Sequence, residues 1–253
     1  MGEWKAQSGR ITLFPTIPTG ASFVSALELY RAIWNLDPDS FQKQPQSNLG
    51  LAASSAQGTH NGLSVSCTAT PVRIDFSVMP NPGSTGSIPV IEDSGSLRNE
   101  LSELAIAVVE KLAVTINRAA CFVQFLNPAD SFREANKNIR SVLPREAQIE
   151  LIEEEDFILQ LNRPRRVADL PINFITRWSV DRLQLMNLQV GGPVQQGGPA
   201  QIILEKLVAS VQFDNNNVPT MTLSKGQIGV ILQECLRGVS SNLKELNLAI
   251  DGF

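Results

Sequence analysis

The sequence predicts an α+β protein in which antiparallel strands are twice followed by a long amphipathic helix packed on the face of the sheet or sheets. Three observations predict it. Leu63, Val65, Cys67 and Ala69 alternate with Ser64, Ser66, Thr68 and Thr70, the period of a half-buried strand. Leu97, Leu101, Leu104, Val108 and Leu112 recur at the spacing of one helix face. Ile228, Leu232, Cys235, Leu236, Val239, Leu243 and Leu246 do the same near the end of the chain, behind Ser224-Lys225-Gly226-Gln227, the pattern of a capping box.

Taken in order, residues 10–15 (Arg-Ile-Thr-Leu-Phe-Pro) read as a first strand. Ser22 is placed to cap a helix carrying Phe23, Leu27, Tyr30 and Trp34, with Ala26 and Ile33 beside them. Asp37-Pro38-Asp39 ends it, because proline disfavours helix in the residue before it. Residues 42–62, rich in Gln, Ser, Gly and Asn, read as an irregular connection with a short strand at 49–53. After 63–70, Val72, Ile74, Phe76 and Val78 alternate with Arg73, Asp75 and Ser77. The apolar parity switches at Thr70-Pro71, which marks a tight turn or bulge. A Pro/Gly/Ser loop at 79–95 leads to the first long helix, expected over 96–118 and about 35 Å long.

Residues 121–126 (Cys-Phe-Val-Gln-Phe-Leu) read as a buried strand stopped by Asn127-Pro128. Phe132, Ala135, Ile139 and Leu143 place a helix over 131–143. Strands are expected at 148–152, 157–161, 172–188 and 201–213, the last with a bulge near Glu205-Lys206 where its apolar parity changes. Residues 191–199 (Gly-Gly-Pro-Val-Gln-Gln-Gly-Gly-Pro) read as a mobile hairpin tip. Two halves, 1–128 and 129–253, each carry one long helix, ending near 118 and near 247, and form one compact unit. The element order suggests a duplication that no residue-level repeat accompanies.

Composition narrows function by exclusion. The chain has 253 residues, 43% hydrophobic and 18% charged, which suits a globular fold with a sizeable core. Its 21 basic and 25 acidic residues give a net charge of −4, which argues against broad nucleic-acid binding. Cys67, Cys121 and Cys235 match no zinc spacing and sit among apolar neighbours, so they read as buried free thiols of a reducing compartment. The amino-terminal residues resemble neither a signal peptide nor a myristoylation site, and no stretch has the apolar length of a membrane span. A cytoplasmic protein is expected.

No motif carries catalysis. His60, in Gly58-Thr59-His60-Asn61-Gly62, is the single histidine and reads as a loop residue rather than a general base. A two-histidine metal site is excluded, and G-x-S-x-G, H-E-x-x-H and the Walker lysine pattern are absent. The glycine-rich 191–198 lacks G-x-G-x-x-G. The acidic run Glu153, Glu154, Glu155 and Asp156 reads as a solvated turn, with hard-cation binding as the functional alternative. Arg163, Arg165 and Arg166 follow one strand later and can grip carboxylates bidentately. These two clusters are the candidate partner-binding residues. Trp34 and Trp178 read as core, and Trp4 as either core or contact residue.

The order of elements over 60–250 resembles a sporadically distributed bacterial family of uncharacterised proteins about 250 residues long. The resemblance is carried by the strand pair at 63–78, the helix to 118, Phe122-Val123-Gln124-Phe125-Leu126-Asn127, the Phe132-to-Leu143 segment and the terminal helix. It implies no catalytic residues and no cofactor, and a patchy distribution like that of defence or mobile-element genes. The expected function is a non-enzymatic interaction or assembly protein that associates with itself or a protein partner, with antiviral defence as a speculative setting. The alternatives are a small apolar ligand-binding module with a sheet-and-helix pocket, and a carboxylate-dependent enzyme using Asp75 or Glu153–Asp156. No metal, no membrane partner and no broad nucleic-acid partner are expected.

Overall fold

The computed structural model describes residues 3–16, 24–44, 53–81, 87–144, 147, 156–187, 201–248, 250 and 252–253, with backbone alone at 184–187 and 201–204. These residues form one antiparallel sheet of ten strands and four helices, an α+β architecture. The elements run β1 (Lys5–Pro15), α1 (Ala26–Trp34), β2 (Ser40–Gln44), β3 (Ala53–His60), β4 (Leu63–Thr70), β5 (Arg73–Met79) and α2 (Ser94–Lys111). Then come β6 (Ile116–Ala129), α3 (Phe132–Ser141), β7 (Ile158–Asn162), β8 (Arg165–Val167), β9 (Leu170–Asn187), β10 (Gln201–Asn217) and α4 (Lys225–Glu245). Across the sheet the order is β2-β3-β4-β5-β1-β6-β10-β9-β7, with β8 also on β9.

Alternation sets which side of each strand meets the helices. Gly9, Ile11 and Leu13 of β1, and Ala119, Cys121, Val123 and Phe125 of β6, lie in the main apolar core with Leu97, Leu101, Leu104 and Val108 of α2. The same core takes Ile228, Leu232, Cys235 and Val239 of α4 against Val211 and Phe213 of β10. Each such side chain contributes about 1.5–3 kcal/mol when fully buried. Two glycines let the helices approach: a Cβ on Gly9 would lie 2.7 Å from Leu101 Cδ1, and one on Gly238 of α4 would lie 2.3 Å from Phe174 of β9. Phe132 of α3 packs under Arg182 of β9, on the same side as Phe174. All four helices therefore share one side of the sheet, and among the described residues the other side carries none.

Several expected boundaries move, for physical reasons. The helix expected to reach residue 118 ends at Lys111, because Leu112 turns extended and the β-branched Val114-Thr115-Ile116 run feeds the ladder of β6. Asp93 caps its start through Gly95 N–H at 2.9 Å. In α1 the cap is Ser25, not Ser22, which lies outside the described residues. Residues 53–60, read as mostly irregular, form β3, whose helix-side positions are the small Ser54, Ala56 and Gly58 rather than large apolar residues. The signal that places it is Asn61-Gly62, both with positive φ, which closes a two-residue hairpin to β4.

Strand β6 runs through Asn127-Pro128 instead of stopping there. Its partner β1 reaches only Leu126, so one side of β6 is unpaired at Pro128, a setting that tolerates proline. Arg165–Val167, read as loop, forms β8, and Ala168-Asp169 with positive φ turns it back into β9. The irregularity of β10 falls between Ile202 and Leu204, earlier than expected. The strand at 148–152 and the hairpin tip at 191–199 lie outside the described residues. The capping box of α4 forms, with Gln227 N–H donating to Ser224 Oγ and Ser224 N–H to Gln227 Oε1.

Cys67, Cys121 and Cys235 are free and buried. Burial, aided by the nearby Asp214 carboxylate, pushes the Cys121 thiol up to about 12, and burial also raises Cys67 and Cys235. Two outcomes follow. Dithionitrobenzoate at pH 8 is expected to titrate no thiol in the native protein and three in denaturant. Gly238→Ala should destabilise by about 1–3 kcal/mol in urea unfolding through overpacking on Phe174, although glycine-to-alanine in a helix normally stabilises.

Candidate functional site

The helix-free side is built by the alternate residues of the same strands. β1 contributes Ser8, Arg10, Thr12 and Phe14, and β6 contributes Arg118, Ala120, Phe122 and Gln124. The β1–β6 register places Arg10 opposite Phe122 and Phe14 opposite Arg118. The Arg10 guanidinium lies 5.0 Å from the Phe122 ring centre, and that of Arg118 lies 4.9 Å from Phe14. Arg73 of β5 approaches the Phe14 ring at 5.9 Å. These are cation–π distances, and each arginine keeps a flat guanidinium face above a half-buried ring.

Asp75 of β5 organises one flank. It accepts from Thr12 Oγ1 at 2.6 Å and pairs with Arg73 Nε at 2.7 Å and, more loosely, Arg10 Nε at 3.6 Å. Arg118, and Arg177 of β9, have no such anchor. The Nε–H groups of all four arginines, Arg10, Arg73, Arg118 and Arg177, are shielded from solvent without a well-aligned hydrogen bond among the described residues, so the ion pairs to Asp75 are what set the first two apart. Between them β6 and β10 present amides and hydroxyls: Gln124 Nε2 and Gln212 Nε2 donate to Ser210 Oγ at 3.0 and 3.3 Å. Across β7, β9 and β10 an amide ladder links Asn162, Asn173 and Asn216 at 3.1 and 3.3 Å. The opposing charges are Asp75, Asp214 and, towards one end, Asp181. Four arginines therefore leave this face positive on a chain whose total is −4.

On the helix side, His60 is no free loop residue. Its Nδ1 lies 2.9 and 3.0 Å from the two oxygens of Glu100, a carboxylate of α2 that is 3% exposed. The same carboxylate accepts from Trp34 Nε1 at 2.9 Å and Asn61 Nδ2 at 3.2 Å, so it ties α1, the β3–β4 turn and α2 together. Glu100 lies off the apolar line of α2, and its position against Trp34 buries it.

The sequence-predicted partner residues are dispersed. Arg163 pairs with Glu245 of α4 at 2.6 Å, Arg165 lies over Phe174 at 5.4 Å, and Arg166 donates to Asp169 O at 3.1 Å. Asp156 is exposed, and Glu153, Glu154 and Glu155 lie outside the described residues. Asp75 serves the arginines of the open face. Trp34 and Trp178 are core, and Trp4 packs partly against it. A hollow of 580 Å³ lies between the backs of α2 and α4, lined by Arg98, Ile106, Val109, Leu236 and Lys244, rather than between sheet and helix as the ligand-module alternative expected. Among the described residues no group of three or more His, Cys, Asp or Glu is placed to hold a metal, and no helix is long and apolar enough to cross a membrane.

No family model and no curated protein matches the chain. A solved structure, that of the rolling circle replication initiator protein from Geobacillus stearothermophilus, is similar at 11% identity and a TM-score of 0.32, over 96% of this chain and 84% of that one. That finding overturns two expectations. These are the non-enzymatic interaction or assembly role and the expectation of no broad nucleic-acid partner, both of which are withdrawn. The charge of −4 is a total over the whole molecule and bears on broad binding alone, while four arginines gather on one face. At this TM-score the likeness transfers no function to this chain.

Glu100→Ala would leave Trp34 N–H and Asn61 N–H without their acceptor in a buried setting. A loss of about 2–3 kcal/mol is expected in urea unfolding, whereas Asp156→Ala, on an exposed carboxylate, should be neutral within about 0.5 kcal/mol.

Proposed function

We propose that the helix-free face of the sheet binds single-stranded nucleic acid. The observation that carries the reading is the pair of arginine–phenylalanine stacks, Arg10 on Phe122 and Arg118 on Phe14, set among amide and hydroxyl side chains. Unpaired bases stack on aromatic rings and on guanidinium planes, and hydrogen-bond to amides along their edges. A duplex hides its base faces, so these stacks favour a single strand. Phosphates find counter-charges in Arg118 and Arg177, which, unlike Arg10 and Arg73, have no carboxylate partner among the described residues.

Charge sets the character of the binding. With two to four arginines reaching phosphate, the slope of log affinity against log salt is about −1.4 to −2.8. Most of the affinity then resides in stacking, worth about 1–3 kcal/mol per base, which fits a chain of overall negative charge.

We also infer that the sheet arose by duplication of a strand, short helix, four strands, long helix unit. The orders β1-α1-β2-β3-β4-β5-α2 and β6-α3-β7-β8-β9-β10-α4 support it. So does the Arg-x-x-x-Phe spacing shared by Arg10–Phe14 and Arg118–Phe122 on the two strands that meet at the centre. In this reading the halves divide between α2 and β6, and the two long helices are equivalent elements on one face.

Fluorescence anisotropy with labelled deoxythymidine and uridine dodecanucleotides tests the binding. Arg118→Gln and Arg177→Gln should each weaken affinity roughly 3- to 30-fold, while Arg237→Gln on the exposed back of α4 changes nothing. Absence of saturable binding by the folded protein, or an equal loss with Arg237→Gln, sinks the reading.

A further inference from the structure

We infer that the face holds its strand at two separate, equivalent stacking stations, one at Arg10–Phe122 and one at Arg118–Phe14, bridged by a single nucleic-acid chain. This rests on the binding reading above and specifies how that site works. The two stations are reciprocal. β1 supplies the arginine to one and the phenylalanine to the other, and β6 does the reverse, through the same Arg-x-x-x-Phe spacing. The register pairs Thr12 with Ala120 midway between them. A local two-fold axis therefore passes between β1 and β6 at that pair.

The spacing follows from strand geometry. Arg10 and Phe14 are four positions apart on one strand and on one face. At about 3.4 Å per residue the stations lie roughly 13–14 Å apart. Nucleotides stacked at about 3.4 Å per step need roughly four steps to cover that distance, and a dinucleotide, with one step, does not. The floor between the stations is small, Thr12 and Ala120, so a strand passes over it without obstruction; Asp75 holds Thr12 and keeps Arg73 and Arg10 to one side.

Two linked stations behave differently towards short and long ligands. A dinucleotide occupies either station alone, so losing one leaves the other and costs at most about twofold. A longer strand engages both, and its second contact is intramolecular, so losing either station removes that gain. The two-fold relation gives both stations the same arginine–phenylalanine pair.

The test uses the full chain and two probes, a deoxythymidine dinucleotide followed by chemical-shift perturbation and a deoxythymidine decanucleotide followed by anisotropy. Phe14→Leu and Phe122→Leu keep apolar bulk and remove the ring face. Arg10→Gln and Arg118→Gln serve as a second pair should either leucine variant lower the thermal midpoint. The expected result is a loss of about 5- to 150-fold for the decanucleotide with each single variant, at most about twofold for the dinucleotide, and loss of both ligands in the double variant. Dinucleotide shifts should persist around the intact station only. If one variant abolishes dinucleotide binding and the other leaves it unchanged, or if no dinucleotide shift appears, the two-station inference is overturned while decanucleotide binding still stands. If the double variant binds the decanucleotide as the parent does, the strand lies elsewhere, and both this inference and the binding reading fall. Failure of the parent protein to bind either probe removes the binding reading itself.

Discussion

The pairing of β1 with β6 is the constraint on which the rest of the structure depends. These two strands hold the middle of the ten-stranded sheet and join everything before residue 112 to everything after it. Their ladder fixes a single register over Lys5 to Pro15, with irregularities only at its ends. A slip of one residue would send Ile11, Leu13, Cys121 and Val123 to the helix-free side and bring Arg10, Phe14, Arg118 and Phe122 under α2 and α4. The core and the arginine–phenylalanine stacks are thus two faces of one register.

The helices enforce that register. Leu97 and Leu101 of α2 fit over Gly9, and Phe174 fits against Gly238 of α4, so side chains end where backbone begins. Glu100 adds a polar clamp, since its buried carboxylate needs the Trp34, His60 and Asn61 donors together. A buried carboxylate with fewer partners would be costly, and the clamp fixes α1 and the β3–β4 hairpin against α2. The opposite face has no such covering. There Arg10 and Arg73 pair with Asp75, while Arg118 and Arg177 have no carboxylate partner among the described residues.

Much of the fold was legible in order along the chain. The alternation through β4 and β5, the apolar line and capping box of α4, the helix of Phe132, Ala135 and Ile139, and the three buried thiols all depend on neighbours within a few residues. What was misread depends on partners far away. β3 has too little apolar character to announce itself, because Ser54, Ala56 and Gly58 lie beneath α1 where large side chains have no room. The end of α2 was placed too late because Ala113 to Arg118 can serve either helix or strand, and only pairing with β1 decides. His60 looked solitary because its carboxylate partner is forty residues away on another element.

The candidate site shows the same division. The sequence by itself determined that Arg10, Thr12 and Phe14 share one side of their strand, since a period of two allows nothing else, whereas only pairing with β1 put Arg118 and Ala120 on a strand with Phe122. It also determined the charge total, which bears on broad binding and is silent on how charge is distributed over one face. Tertiary structure alone decided that the two Arg-x-x-x-Phe segments face each other in reverse, that no helix covers them, and that Asp75 neutralises one flank and not the other. The physical reason is range. Side-chain direction is set by the backbone dihedrals of each residue, whereas the register between strands more than a hundred residues apart is set by the whole core that must close around it.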